Sequence, residues 1–294
     1  PDRPNPGPDL LLGIGSTEIL HAAAWEYSSE PGNIVEPHPS YSVLGTIAAR
    51  RPDSRIDRRM IPLDAGHRID LDAMRKAVDA DTRFVMICNP NNPTGTTVSR
   101  KAIESFITDV PTSALVFVDE AYIEFLPEYE QRSVVAAAMS RPNVLVARTF
   151  SKVYGMAGLR VGYAIASGEV IWRLKRHMQG ELSPNVPGMA AALAALEDPQ
   201  HVQTTVALNN RIQKRFRDEL PPLGFKYIPS EACFTWIEAG DDAGKLVRFL
   251  FDRGVIIVHG QRWDMPTCIR VSVGTDAEMD RFFAALREYR AAQA

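Results

Sequence analysis

Short runs of apolar residues alternate with stretches of helical periodicity over the first two thirds of the chain. The runs predict strands, whereas the stretches, in which apolar residues recur every third or fourth position, predict helices. The predicted strands cover residues 34–36, 84–88, 115–118, 144–148 and 162–166. The predicted helices cover residues 19–25, 41–49, 71–78, 100–108, 134–139 and 189–196. Strands separated by helices are typical of βαβ units, so we predict an α/β unit with a largely parallel sheet.

The remainder of the chain shows a different pattern. A long helix is predicted over residues 200–220, and shorter helices over 244–253 and 277–290. Strands are predicted at residues 226–228, 234–237, 255–258 and 268–273. We therefore predict two domains, a large α/β domain over residues 1–194 and a smaller α+β domain over residues 195–294.

Composition narrows the possible functions. The formal net charge of −3 comes from interspersed acidic and basic residues, so no basic surface for nucleic acid or membrane is expected. Three cysteines lie far apart without C-x-x-C spacing, which favours neither disulfides nor a metal site and fits a reducing compartment. No apolar run is long enough to span a membrane and no signal peptide is visible, so we expect a cytoplasmic protein.

A glycine-rich turn carrying a lysine follows the strand predicted at residues 144–148. Residues 149–163 read T-F-S-K-V-Y-G-M-A-G-L-R-V-G-Y. The amine of Lys152 could form a Schiff base with an aldehyde, and Thr149, Ser151 and Arg160 could donate hydrogen bonds to a phosphate. Together these residue types indicate a phosphate-bearing aldehyde cofactor, although an isolated Ser-Lys pair would favour an ordinary surface turn.

A second motif, D-E-A-Y at residues 119–122, ends the strand predicted at residues 115–118. Ligands of α/β sheets bind at the carboxyl ends of strands, where Asp119 is expected. A carboxylate there could keep a pyridine nitrogen protonated and so make the ring an electron sink, and Tyr122 could bond the phenolic oxygen of that ring. The alternative is an aspartate that caps a helix.

A third motif, N-P-N-N-P-T-G at residues 89–95, closes the strand predicted at residues 84–88. Its two X-Pro steps favour an extended, rigid turn that could hold an asparagine amide toward a ligand. Without a ligand, the same segment would be a plain turn.

In this order and spacing, the three motifs resemble those of the class I/II aminotransferases of fold-type I, which depend on pyridoxal 5′-phosphate (PLP). The resemblance extends from about residue 12 to the C-terminus and is greatest to the histidinol-phosphate aminotransferase branch. It implies a large domain of three αβα layers, PLP as cofactor, and an amino donor and a 2-oxo acid as small-molecule substrates. It also implies a homodimer and a ping-pong reaction.

The resemblance further implies roles for individual residues around the cofactor ring. Lys152 corresponds to the lysine that binds PLP and shuttles the substrate proton, and Asp119 to the carboxylate that pairs with the pyridine nitrogen. Asn92 and Tyr122 correspond to the groups that bond the phenolic oxygen. Tyr41 corresponds to the aromatic residue that stacks on the ring, although it could instead be a core tyrosine at a helix start.

Phosphate and substrate ligands follow from the same resemblance. The residues that correspond to phosphate ligands are Gly15, Ser16, Thr17, Thr149, Ser151 and Arg160. Asn92 and Arg270 correspond to substrate-binding residues, with Arg270 clamping the substrate carboxylate by a bidentate fork. A solvent-facing strand residue is the other interpretation of Arg270.

Two segments depart from the family pattern. Members carry a longer segment before the Gly-Ser turn, which holds a substrate-covering arm and a tyrosine that reaches the partner subunit, and neither feature is assigned here. Residues 178–186 replace an R-x-P-F-N-V-like run and include Glu181, which would not help to bind a phosphate. An aromatic amino acid is therefore an alternative donor. A threonine-phosphate-type PLP decarboxylase and a non-catalytic PLP-binding module are alternative functions.

Overall fold

The computed structural model describes residues 7–179 and 184–293, so Glu181 and the first six residues lie outside the described part. The larger of its two sheets is built from β1 (Pro8–Ile14), β2 (Gly32–His38), β3 (Ile56–Pro62), β4 (Thr82–Cys88), β5 (Leu115–Asp119), β6 (Val144–Thr149) and β7 (Val161–Ser167). Their order is β1-β7-β6-β5-β4-β2-β3. Strands β2 to β6 run parallel, whereas β7 is antiparallel to both β6 and β1.

Helices cover both faces of this sheet. They are α1 (Gly15–Tyr27), α2 (Val43–Ala49), α3 (Leu71–Ala77), α4 (Arg100–Asp109), α5 (Tyr129–Arg132), α6 (Val135–Ser140) and α7 (Gly168–Lys175). Successive strand residues point to opposite faces, so Phe117 packs with α1, α2 and α7 while its neighbour Val118 packs with α3, α4 and α6. The result is a three-layer αβα arrangement, which confirms the predicted fold class.

The second sheet follows two helices, α8 (Val186–Leu196) and α9 (Pro199–Glu219). Its strands are β8 (Lys226–Ile228), β9 (Phe234–Glu238), β10 (Val258–His259) and β11 (Cys268–Ser272), in the antiparallel order β10-β11-β9-β8. Helices α9, α10 (Ala243–Phe251) and α11 (Asp276–Ala291) bury a separate apolar core against it. The predicted domain boundary, between residues 194 and 195, falls within the last turn of α8 and stays a prediction.

Several elements differ from those predicted. The elements that the sequence did not predict include β1, β3, α5 and α7. Charged residues interrupt the apolar pattern of β3 and α7. The strand predicted at residues 255–258 was wrong except at its end, since β10 begins only at Val258. Val255 instead donates its N–H to Leu250 in the turn after α10, and Ile256 is 82% exposed.

Two features are absent from the part of the chain that the structure describes. None of their helices is both long and apolar enough to cross a membrane. No group of three or more His, Cys, Asp or Glu side chains among them is arranged to hold a metal ion.

Candidate active site

The carboxyl ends of β4, β5 and β6 meet at one edge of the larger sheet and open into a cavity of about 810 Å³. Most of the predicted site residues line it, although they come from widely separated parts of the chain. They are Ser16, Thr17, Tyr41, Asn92, Asp119, Tyr122, Thr149, Ser151, Lys152, Arg160 and Arg270. The remaining one, Gly15, lies behind Arg160 and does not line the cavity.

Lys152 lies in the turn that follows β6, with its ammonium group in the cavity. Within the described residues, the amine has no hydrogen-bond or ion-pair partner, and its Nζ lies 5.3 Å from the centre of the Tyr122 ring. Tyr122 is buried and packs edge-on against Phe234 with 5.1 Å between ring centres. The lysine is therefore positioned by packing and backbone, and its amine is not engaged by a carboxylate.

Asp119, the last residue of β5, is 2% exposed. One carboxylate oxygen, Oδ1, accepts the N–H of Ala121 at 3.0 Å, and no described residue donates to the other. Burial raises the pKa of Asp119 to about 6, against the opposing effects of the Ala121 hydrogen bond and the Lys152 charge. A buried carboxylate with a free oxygen is stabilised by a cationic N–H group, because such a group restores the solvation lost on burial.

Arg160 joins the glycine-rich turn to the start of α1 through hydrogen bonds of both its side chain and its backbone. Its guanidinium Nη1 donates to Ala157 O at 2.9 Å and its Nη2 to Ile14 O at 3.4 Å, while the backbone N–H of Gly15 donates to Arg160 O at 3.0 Å. Gly15 has a φ of +69°, and a side chain there would collide with the guanidinium. Glycine is therefore required for Arg160 to approach the helix N-terminus.

Hydroxyl groups surround this end of the cavity. Thr149 Oγ1 donates to Ser151 Oγ at 2.8 Å and accepts from the Ser151 N–H at 3.1 Å. Ser16 and Thr17 lie in the first turn of α1, whose N–H groups favour an anion. Burial raises the pKa of the Tyr41 hydroxyl, and the neighbouring Thr17 side chain partly opposes this rise. Backbone, hydroxyl and guanidinium donors thus converge as a phosphate would require.

Arg270 enters the cavity from β11 of the second sheet. Its Nη1 donates to Asn92 Oδ1 at 2.7 Å, and its guanidinium lies over the rings of Phe234 and Trp263 at 5.0 and 5.3 Å. The Nε atom is buried and has no hydrogen-bond partner among the described residues. Burial lowers the pKa of Arg270. This arginine therefore retains hydrogen-bonding capacity for a ligand anion.

The arrangement fits PLP. The helix N-terminus, the hydroxyls and Arg160 suit its phosphate, the free oxygen of Asp119 suits its pyridine nitrogen, and the unengaged amine of Lys152 suits its aldehyde. Asn92 accepts from Arg270 through its oxygen, so its amide N–H₂ is available to the phenolic oxygen.

Sequence patterns missed other residues that line the cavity. Arg262 and Trp263 come from a short 3₁₀ helix, Gly260–Trp263, and Arg50 follows α2, while His21 belongs to α1. None lies in a recognisable motif, and only the tertiary fold brings them together. The sequence feature that could have pointed to two of them is the arginine next to a tryptophan at residues 262–263.

The second carboxylate of the D-E-A-Y motif does not face the cavity. Glu120 is 1% exposed and accepts hydrogen bonds from the Ser133 hydroxyl, the Val134 N–H and, at 3.0 Å, Arg148 Nε. It therefore ties the end of β5 to β6 and the start of α6, and so supports the strand end that carries Asp119.

Comparison with known proteins agrees with this geometry. The model of the family "Aminotransferase class I and II" matches residues 5–286. Histidinol-phosphate aminotransferase of Moorella thermoacetica is 36% identical over 288 residues, which cover 95% of this chain and 72% of that protein. A putative histidinol-phosphate aminotransferase from Erwinia carotovora atroseptica superimposes with a TM-score of 0.89 at 30% identity, covering 97% of this chain and 82% of that one.

A further structure carries the cofactor. Histidinol-phosphate aminotransferase from Sinorhizobium meliloti, solved in complex with pyridoxal-5′-phosphate, superimposes with a TM-score of 0.85 at 28% identity, covering 97% of this chain and 77% of that one. The chain thus belongs to the aminotransferase class I and II family. It is a PLP-dependent aminotransferase that acts on small molecules.

Proposed function

We propose that this enzyme moves an amino group from an amino acid or a histidinol-phosphate-like amine to a 2-oxo acid by a ping-pong mechanism. The observation that carries the proposal is that Lys152, Asp119 and Arg270 line one cavity. An amine, a carboxylate that keeps a pyridine nitrogen protonated and an anion-binding fork are the three groups that amino transfer needs.

The residues at the phosphate end hold the cofactor in this proposal. PLP supplies an aldehyde that condenses with amines and a ring that stabilises negative charge at the substrate α-carbon. Ser16, Thr17, Thr149, Ser151 and Arg160 bind its phosphate, and Gly15 admits Arg160 to the helix N-terminus.

The remaining residues divide between the ring and the substrate. Asp119 keeps a proton on the pyridine nitrogen, and Asn92 and Tyr122 donate to the phenolic oxygen. Tyr41, which lines the cavity with Thr17, offers its aromatic face to the ring. Lys152 Nζ takes the proton from the substrate α-carbon as a base and then gives it up as an acid at a different carbon, which is general base and acid catalysis by one group. Arg270 orients the substrate by its anionic group.

The charge of the cavity supports anionic substrates. Of the described residues that line it, Asp119 alone is a carboxylate, whereas Arg50, Arg160, Arg262 and Arg270 are cationic. Arg262 lies near enough to Arg270 to lower its pKa. A substrate with a phosphate or a second carboxylate therefore suits this site, and the names of the relatives favour histidinol phosphate.

We also propose that two chains form a homodimer, as the family resemblance implies. Helix α8 supports this because it is almost wholly apolar, yet Val186, Leu193 and Leu196 are 81%, 63% and 58% exposed. Sedimentation velocity at several concentrations tests the proposal, since a chain that stays monomeric would contradict it. The expected cytoplasmic location stays a prediction.

Product analysis tests the function. The PLP-loaded enzyme is supplied with 2-oxoglutarate and, in turn, histidinol phosphate, an aromatic amino acid and O-phosphothreonine. We expect glutamate to form fastest with histidinol phosphate and double-reciprocal plots to be parallel. Faster turnover of the aromatic donor would reassign the substrate. Release of carbon dioxide from O-phosphothreonine without glutamate would identify a decarboxylase, and no product with any donor would favour a non-catalytic module.

A further inference from the structure

A cluster outside the cavity joins the segment that carries Asn92 to the one that precedes β9. Glu231, in the loop between β8 and β9, accepts a hydrogen bond from the Thr97 hydroxyl and pairs with Arg132 at 3.0 Å from Nη1 to Oε1. Arg132 Nη2 also donates to Thr97 Oγ1 at 3.2 Å. The three side chains therefore contact one another, and they link the segment after β4 and the end of α5 to the loop before β9 of the second sheet.

The backbone reinforces this contact. The Glu231 N–H donates to Gly95 O at 2.8 Å. Gly95 has a φ of +72°, and a side chain there would collide with Ser230. The N-P-N-N-P-T-G turn thus packs directly on the loop that precedes β9, and glycine permits that approach.

Short, hydrogen-bonded segments connect the cluster to the cavity on both sides. On one side, the Asn91 N–H donates to Thr96 O at 2.9 Å, so the turn that carries Asn92 is closed next to Thr97. On the other side, the Val273 N–H donates to Cys233 O at 2.9 Å, which ties the end of β11 to the residue before β9. A displacement at Glu231 would therefore shift β9, which begins three residues later, and β11, which carries Arg270.

The aromatic support of Arg270 lies on the same segment. Phe234 begins β9, three residues after Glu231, and the Arg270 guanidinium lies 5.0 Å from the centre of its ring. Within the cavity, Arg270 reaches the N-P-N-N-P-T-G turn through its 2.7 Å hydrogen bond to Asn92. Two ties thus join the same two segments, one at the substrate site and one outside it.

We propose that Glu231, Thr97 and Arg132 form a latch that sets the position of Arg270 relative to Asn92. Glu231 is a positioning residue, because it acts on the substrate through Arg270 and does not line the cavity. The inference rests on the proposed function in that Arg270 must hold the anionic group of the substrate. Loosening the latch then weakens substrate binding more than it slows chemistry, because orientation is lost before the reacting groups are changed.

Variants of the PLP-loaded full chain test the latch. Glu231→Gln and Arg132→Gln should each raise KM for 2-oxoglutarate about two- to fivefold, the range expected for a partly exposed ion pair, with kcat almost unchanged. The double variant should resemble either single variant, because both remove the same contact. Amide exchange read by mass spectrometry should become faster over residues 91–98 and 230–236 in both single variants.

The chain offers a matched control. Arg100 and Glu104 form a pair at 2.7 Å whose side chains are 37% and 36% exposed, against 32% and 42% for Arg132 and Glu231, but both lie on α4. Glu104→Gln should leave KM and the exchange of both segments unchanged. An equal effect in this control would overturn the proposal, as would a loss of kcat in Glu231→Gln that parallels a loss of thermal stability.

Arg270→Lys separates the latch from the function on which it rests. A raised KM in Arg270→Lys together with a wild-type KM in Glu231→Gln would overturn the latch alone. A wild-type KM in Arg270→Lys would overturn the anion-binding role of Arg270, and the latch proposal with it. The proposal is supported if KM is raised in both Arg270→Lys and Glu231→Gln, while amide exchange over residues 91–98 and 230–236 is faster in Glu231→Gln but not in Arg270→Lys.

Discussion

Replacing Asp119 by Asn tests whether this carboxylate is present for chemistry at the expense of stability. Asp119 is buried, and burial raises its pKa from 3.8 to about 6. Asparagine has nearly the same shape, and its oxygen can still accept the 3.0 Å hydrogen bond from Ala121. The substitution therefore removes the charge and leaves the packing in place.

The expected change in stability follows from the pKa shift. Raising the pKa from 3.8 to about 6 corresponds to a free-energy cost of about 3 kcal/mol for burying the charged form of Asp119. Between about pH 4 and pH 6 the folded cofactor-free protein holds a proton at Asp119 that the unfolded chain has lost, so its stability falls as the pH rises. Above that window the folded wild type carries the full cost of the buried charge, whereas Asp119→Asn carries none.

Urea unfolding of the cofactor-free proteins measures this difference. Asp119→Asn should be more stable than the wild type by up to about 3 kcal/mol at pH 8, and the gap should close toward pH 4. The same variant, loaded with PLP, should lose about 100-fold or more of its amino-transfer rate, as expected for a group that stabilises developing charge. A variant with wild-type stability at pH 8 and wild-type activity would refute the reasoning.

Glu124→Gln is the matched control for the Asp119 variant. Glu124 is 5% exposed, its Oε2 has no hydrogen-bond partner among the described residues, and burial raises its pKa to about 7. It does not line the cavity. Glu124→Gln should therefore show the same gain in stability at high pH with amino transfer retained. Loss of activity in this control would mean that removing a buried carboxylate outside the cavity also lowers activity. The loss in Asp119→Asn would then not identify Asp119 as the partner of the cofactor.

Three further substitutions probe other parts of the site. Arg270→Lys should raise KM for 2-oxoglutarate about 10- to 100-fold, the cost of a lost hydrogen bond to a charged group, and an unchanged KM in steady-state kinetics would contradict its role. Gly15→Ala should weaken PLP binding in a fluorescence titration, because the new methyl group displaces Arg160; wild-type affinity would argue against this packing. Glu120→Ala should destabilise the fold by about 3–5 kcal/mol in urea unfolding, because Arg148 loses its buried partner; a change under 1 kcal/mol would show that the pair is dispensable.

The sequence predicted the residues of the cavity best where they follow strands. Asn92, Asp119 and Lys152 each lie just after a run of apolar residues, and parallel strands bring such positions to one edge of a sheet. Spacing along the chain was therefore enough to expect that they meet. The structure brings them into one cavity, and their individual roles stay a proposal.

Cavity residues outside strand ends were either predicted through the family resemblance alone, as Arg270 was, or not predicted at all, as with Arg262 and Trp263. Arg270 comes from a different sheet, and its contact with Asn92 depends on how the second sheet packs on the first. Arg262 and Trp263 lie in a short 3₁₀ helix with no motif of its own. Residues that meet through tertiary packing leave no periodic pattern, so local sequence could not reveal them.

Missed elements have a similar explanation. Strand β3 alternates Asp57 and Arg59 with Arg58 and Met60 at the edge of the sheet, where only one neighbour pairs with it. Its Arg58 pairs with the buried Glu36 of β2, so a charged residue occupies a position where an apolar one would be expected. The pattern of apolar residues therefore gave no sign of a strand.

The attachment site of the cofactor tests the central claim most directly. The protein is loaded with PLP, reduced with borohydride and digested, and the modified peptide is located by mass spectrometry. The account predicts that the reduced cofactor is bound to Lys152 and that Lys152→Ala carries none. Modification of another lysine, or labelled Lys152→Ala protein, would contradict it.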